Sequence, residues 1–193
     1  MELDIFSEVE AQAMRLGLPC DFYTQLKNED DWSFVIKLNA LVEAVCTDAL
    51  SAAFHAPGLV DALATLDLGH NKHGKVAILR SLNAIAKEQA EVLQLLYELR
   101  NKLAHNIGQV SFSFTKHIES LDKNQLTVFL KRAGHGISTG PNGQPTKDFV
   151  LANPKLALWI SVAEILACLH LEHEMAEIRL QRLAFEKLRV SKD

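Results

Sequence analysis

Between Glu91 and Asn106 the chain reads EVLQLLYELRNKLAHN, with apolar residues recurring every three or four positions. Each residue of an α-helix turns by about 100°, so Val92, Leu96, Leu99 and Leu103 fall on one stripe that must meet a core. Asn101 and His105, four apart, share a different face, far round the helix from those leucines. Arg100 lies at the edge of the stripe, with a side chain long enough to reach either side. Packing explains the leucines. It does not require an arginine, an asparagine and a histidine within six residues.

A helix with such a stripe needs partners, and the rest of the chain supplies them. Residues 2–16 place Leu3, Phe6, Val9, Ala13 and Leu16 at helical spacing, and Gly17 and Pro19 stop the run. A short helix from Asp21 to Lys27 follows. The cluster Asn28 to Asp31 then offers caps for a helix of about five turns starting near Trp32, with apolar positions from Val35 to Leu50. Pro57-Gly58 ends it, Leu59 to Leu66 reads as a connecting helix, and Asp67 to Gly74 as a polar loop. Lys75 to Leu82 and Lys87 to Leu103 complete a bundle whose short links imply antiparallel neighbours.

Past Gly108, which reads as the stop of the Arg-Asn-His helix, the pattern changes. Gln109 to Thr115 (QVSFSFT) and Gln125 to Lys131 (QLTVFLK) alternate polar and apolar residues as strands do, and Asn142-Gly143 is a tight-turn signal. From Asn153 a long helix runs almost to Arg189, with Pro154 in its first turn. At about 35 residues it spans roughly 50 Å, more than the bundle can cover, so its excess should meet a second subunit or fold back. The expected architecture is therefore mainly α: an antiparallel helical bundle with a small β-hairpin/loop insertion and a long C-terminal helix. A chain of 193 residues suits one domain, divided into N-terminal helices (1–30), a bundle core with the Arg-Asn-His helix (31–107), the insertion (108–152) and the long helix (153–190).

Charge and cysteine usage narrow the function classes. A net charge of −4 argues against a nucleic-acid coat or a polybasic membrane binder, so any RNA contact must be local. With no basic stripe or helix-turn-helix, direct sequence-specific DNA binding is not expected. Cys20, Cys46 and Cys168 are scattered and read as free thiols filling the core in a reducing cytoplasm. The first fifteen residues are too acidic for a signal peptide, and LALWISVAEILACLHL is interrupted by Glu164 and short for a bilayer span. No membrane association is expected.

Two histidine groups invite a metal reading. His70 and His73 have no third ligand nearby and read as loop surface, and His170, His173 and Glu177 read as a solvated, charge-mixed helix face. HGISTGPNG is glycine-rich but lacks the lysine and following helix of a phosphate loop.

The spacing Arg100-Asn101-x-x-x-His105 late in a helix resembles the signature of the HEPN superfamily, small helical domains found in many RNA-cleaving toxins and defence proteins. The resemblance extends upstream through HGKVAILRSLNAIAKEQAEVLQLLYELRNKLAHN and covers about half of the chain. It implies a homodimer in which two Arg-Asn-His sets line one cleft and cleave RNA. His105 would be the acid-base group, Arg100 the phosphate stabiliser and Asn101 the orienting partner, with no metal or cofactor. An antitoxin or other protein partner would accompany a toxin. Many toxin members carry a tyrosine two residues after the histidine, where this chain has Ile107.

The order of elements over residues 32–175 is also similar to that of the mannitol operon repressor family, which implies a non-catalytic regulator acting through protein partners. A plainer reading of the same residues also stands. His105 at a helix C-terminus is favoured by the helix dipole, Arg100 pairs with Glu43 across the bundle, and Asn106 and Gly108 are helix-stop residues. Glu43 and Lys37 are surface groups, or join the site.

Overall fold

Aspartate side chains fix where three of the helices begin. Asp4 accepts from the backbone N–H of Phe6 (3.2 Å) and Ser7 (3.4 Å), Asp30 from that of Ser33 (2.9 Å), and Asp122 from those of Asn124 and Gln125 (both 2.8 Å). Each satisfies donors that the first turn leaves orphaned. The computed structural model describes residues 4–70, 72–138 and 141–190. Its helices are α1 (Ile5–Arg15), α2 (Phe22–Leu26), α3 (Asp31–Ala53), α4 (Val60–Ala64), α5 (Lys75–Ser81), α6 (Lys87–Ala104), α7 (Phe114–Glu119), α8 (Lys123–Ala133), α9 (Thr146–Ala152) and α10 (Pro154–Val190).

The long apolar helix α3 lies at the centre of a helical bundle, packed against α10, α6, α5 and α4. Val92, Leu96, Leu99 and Leu103 of α6 are all buried, as their spacing requires, and Leu93 and Leu95 widen the stripe. At the other side of α3, helix α10 holds α1 and α2. Trp159 stacks between Phe6 (4.8 Å) and Tyr23 (5.1 Å), and its indole N–H donates to the Tyr23 carbonyl at 3.0 Å. The Tyr23 hydroxyl returns a bond to the Trp159 carbonyl, and burial pushes that phenol well above its usual range.

The region after α6 departs from the expected hairpin: no strand occurs among the described residues. Gln125 to Lys131 lies inside α8, and Gln109 to Thr115 runs from a 3-10 turn (Ile107–Gln109) into α7. Apolar alternation over seven residues also fits a helix when Leu126, Phe129, Leu130 and Ala133 stand three or four apart. The cap decides the outcome, because the Gln125 side chain reaches back to the Asp122 N–H at 3.0 Å and closes a capping box. The Asn142-Gly143 pair does mark a turn, the 3-10 turn Pro141–Gly143, with Gly143 at φ +75°.

Helix α10 continues unbroken to Val190, about 55 Å over its 37 residues. Pro154–Phe185 is long and apolar enough to cross a membrane, but 67% of its most apolar window is buried inside the protein, as in a core helix. Glu164, which interrupts that stretch, meets His135 at 3.3 Å. Up to Ala176 one side of the helix stays covered; beyond it the helix leaves the bundle, and Ile178, Leu180, Leu183 and Phe185 are exposed.

Candidate functional site

Helix α6 stops two residues earlier than Gly108, read as the residue just past its cap, suggests. His105 is the C-cap, donating its N–H to the Asn101 carbonyl at 3.3 Å, and the Asn106 side chain captures the Gly108 N–H at 3.0 Å to start the next turn. Asparagine, which bonds its own backbone two residues on, therefore sets the boundary.

This end of α6 carries the Arg-Asn-His residues. Arg100 is half-buried, and its guanidinium donates to Asn101 Oδ1 at 2.9 Å; this bond takes the place of the pairing expected with Glu43. One donor of five is thereby committed, and the planar head is held against the helix. Asn101 is half-buried as well. His105 is exposed and has no side-chain partner among the described residues.

Tyr97 extends the group. It stands one helical turn before Asn101 and two before His105, on the same face of α6, and lies close enough to Arg100 to feel its charge. Its hydroxyl donates to Asp67 Oδ2 at 2.7 Å, which raises the phenol's pKa above its ordinary value, with burial adding to the effect. Burial alone would raise the Asp67 carboxyl, but hydrogen bonds from Tyr97, Gly69 and His70 outweigh it and hold Asp67 below the usual range. The ring of Tyr97 lies over Gly69, where a Cβ would run into it, so the loop approaches α6 only because that position is glycine. Asp67 and Tyr97 are thus neighbours of the Arg-Asn pair that spacing alone did not single out. Four-residue periodicity from Tyr97 was the available signal; the loop contact had none.

The other candidate residues have structural partners. Lys37 pairs with Glu29. His70 Nδ1 accepts from the backbone of Lys72 and His73, at 3.3 and 3.1 Å, and its ring stacks on that of His73. His170 and His173 are buried against α1 and α3, not solvated. His173 meets Asp48 at 3.2 Å and Glu177 at 3.1 Å, His170 meets Glu8 at 3.6 Å, and Arg15 bridges Asp48 and Glu174. The periodicity located their helix face without revealing that α1 covers it. Among the described residues no group of three or more His, Cys, Asp or Glu side chains is arranged to hold a metal. Of the cysteines only Cys46 is fully buried, its thiol pushed up to about 12; Cys20 is exposed in the turn after α1, and Cys168 is half-buried.

The fold and this polar helix end together define a helical-bundle protein with an Arg-Asn-His cluster. No family model, curated protein or solved structure matches the chain.

Proposed function

We propose that this protein is a metal-independent endoribonuclease of the HEPN type, acting as a homodimer in a toxin or phage-defence system. One observation carries the reading: His105 stands exposed and without a side-chain partner among the described residues, close along α6 from an Arg100 already oriented by Asn101. In this reading the bundle helices run antiparallel as in HEPN domains, and two copies bring their α6 ends together to form one RNA-cleaving cleft.

RNA carries its own nucleophile, the 2′-hydroxyl, so the protein has to supply only proton transfer and positive charge. Histidine is the side chain whose ordinary pKa lies nearest neutrality, which suits His105 to take the 2′-hydroxyl proton and, from the second copy, to protonate the departing 5′-oxygen. The Arg100 guanidinium matches the non-bridging oxygens of the phosphorane, where negative charge collects. Asn101 fixes the direction of that guanidinium. The products are a 2′,3′-cyclic phosphate and a 5′-hydroxyl end.

A second reading, a non-catalytic regulator resembling the mannitol operon repressor family, is favoured by the exposed apolar residues of α10, a surface suited to a protein partner. Incubating a mixed RNA pool in EDTA with the wild type and with His105→Ala separates the two. Cleavage that disappears on substitution supports the nuclease. Equal inertness of both proteins, each folded and dimeric, overturns it in favour of the regulator.

A further inference from the structure

A groove of about 420 Å³ runs between α6 and α8, and a second hollow of about 320 Å³ adjoins it beside α7; Lys102 and His117 line both. The groove is walled by Leu95, Leu99, Leu121, Val128 and Phe129. Val128 is 47% exposed although it lines an apolar channel, so this wall is open to an occupant. The charge at the two ends differs. Glu98 and Arg132 at the groove rim neutralise each other at 3.3 Å, whereas Lys102 and Lys116 have no acidic partner among the described residues. The hollow between them contains no carboxylate, and Ser111 and Ser113 line it.

We propose that the connected groove and hollow bind a small amphipathic anion, its apolar body between α6 and α8 and its phosphate or carboxylate head over Lys102 and Lys116. The volume suits a small ligand with one ring system, and a pocket largely apolar with a few convergent polar groups is the usual form of such a site. Two uncompensated lysines with serine hydroxyls beside them are the chemistry that holds an anionic head. This site stands apart from Arg100, Asn101 and His105 and does not rest on the ribonuclease reading, since none of those three residues lines either hollow.

The test uses 1-naphthyl phosphate and 1-naphthoate, with 1-naphthol and inorganic phosphate as fragments lacking one half of the ligand. Titration calorimetry on the full chain should show saturable 1:1 binding of at least one naphthyl anion, at least tenfold tighter than either fragment. Comparing the two anions identifies the preferred head. Lys102→Gln with Lys116→Gln should weaken binding at least tenfold, and Val128→Glu, at an exposed position, should abolish it. Both variants should retain the wild-type circular dichroism spectrum and Tm. Absence of saturable binding, or binding unchanged in both variants, overturns the proposal. If the lysine variant unfolds, the result with Val128→Glu decides alone.

Discussion

The Tyr97 hydroxyl donates to Asp67 Oδ2 at 2.7 Å, fastening the α4–α5 loop to the same face of α6 that carries Asn101 and His105. The carboxylate also receives the Gly69 N–H at 2.9 Å, so one acidic group organises both the loop and the tyrosine. Removing the hydroxyl while keeping the ring tests the bond without opening a cavity. Tyr97→Phe should lower stability by about 1 kcal/mol, reduced from the upper range for charged hydrogen bonds because Asp67 is solvent-exposed. In a chain of this size that corresponds to a fall in Tm of about 2–4 °C. An unchanged Tm in Tyr97→Phe, with Asp67→Asn also silent, would show that the loop holds without this bond.

Arginine and lysine should not be interchangeable at position 100. Lysine keeps the charge but loses the planar fork that Asn101 now orients. If the ribonuclease reading holds, Arg100→Lys should reduce cleavage by ~10²-fold with the fold intact, measured as single-turnover rates on a defined RNA in EDTA. Retention of full activity would remove Arg100 from the mechanism.

Asp122→Ala should cost about 1 kcal/mol by opening the capping box of α8. Chemical denaturation measures the loss. Amide exchange should quicken first at Asn124 and Gln125, whose N–H groups the aspartate holds. A hairpin at this position would instead be insensitive to the cap.

Stability should decline in mild acid. Burial, reinforced by the nearby Lys102 charge, lowers the pKa of His117; burial, with Arg15 and His173 adding to it against Glu174 and Glu8, lowers that of His170. Unfolded histidine takes up its proton near pH 6.5, whereas these two do so only at lower pH in the folded chain. As pH falls from about 6.5 through the folded values, the unfolded state therefore binds more protons and gains weight. Tm should be lower at pH 5.5 than at pH 7.5, and His117→Gln should flatten part of that slope. A Tm that rises towards pH 5.5 would contradict the assignment.

Truncating the centre of the α6 stripe should be severe. Leu96 is fully buried, and Leu96→Ala should destabilise by about 2–5 kcal/mol in urea titrations. A loss below about 1 kcal/mol would mean that the α3–α6 contact contributes little.

Periodicity made the helices legible where they are long and half-covered. The stripe of α6, the start of α3 beside Asp30 and the entry of α10 at Pro154 all follow from local chemistry. It misled where seven alternating residues fit two periods, as at Gln125 to Lys131, because the deciding Asp122–Gln125 box lies at the segment's edge. At the candidate site Arg100, Asn101 and His105 could be grouped by spacing, and the structure adds the 2.9 Å bond between the first two. Asp67 could not be foreseen, since it stands 30 residues from Tyr97 and only the tertiary fold brings the two together. For the same reason His173 could be placed on its helix face but not paired with Asp48.

The stack of Phe6, Trp159 and Tyr23 has a consequence for the order of assembly. Tyr23 and Trp159 exchange two hydrogen bonds across 136 residues, so the surface on which α1 and α2 dock is complete only after α10 has formed. Closing so long a loop is entropically costly, and contacts of this separation slow folding. During synthesis, the earliest helices of this chain therefore wait for the last one. In a Trp32→Phe background, fluorescence of Trp159 should report that closing step after α3 to α6 have already gained helicity.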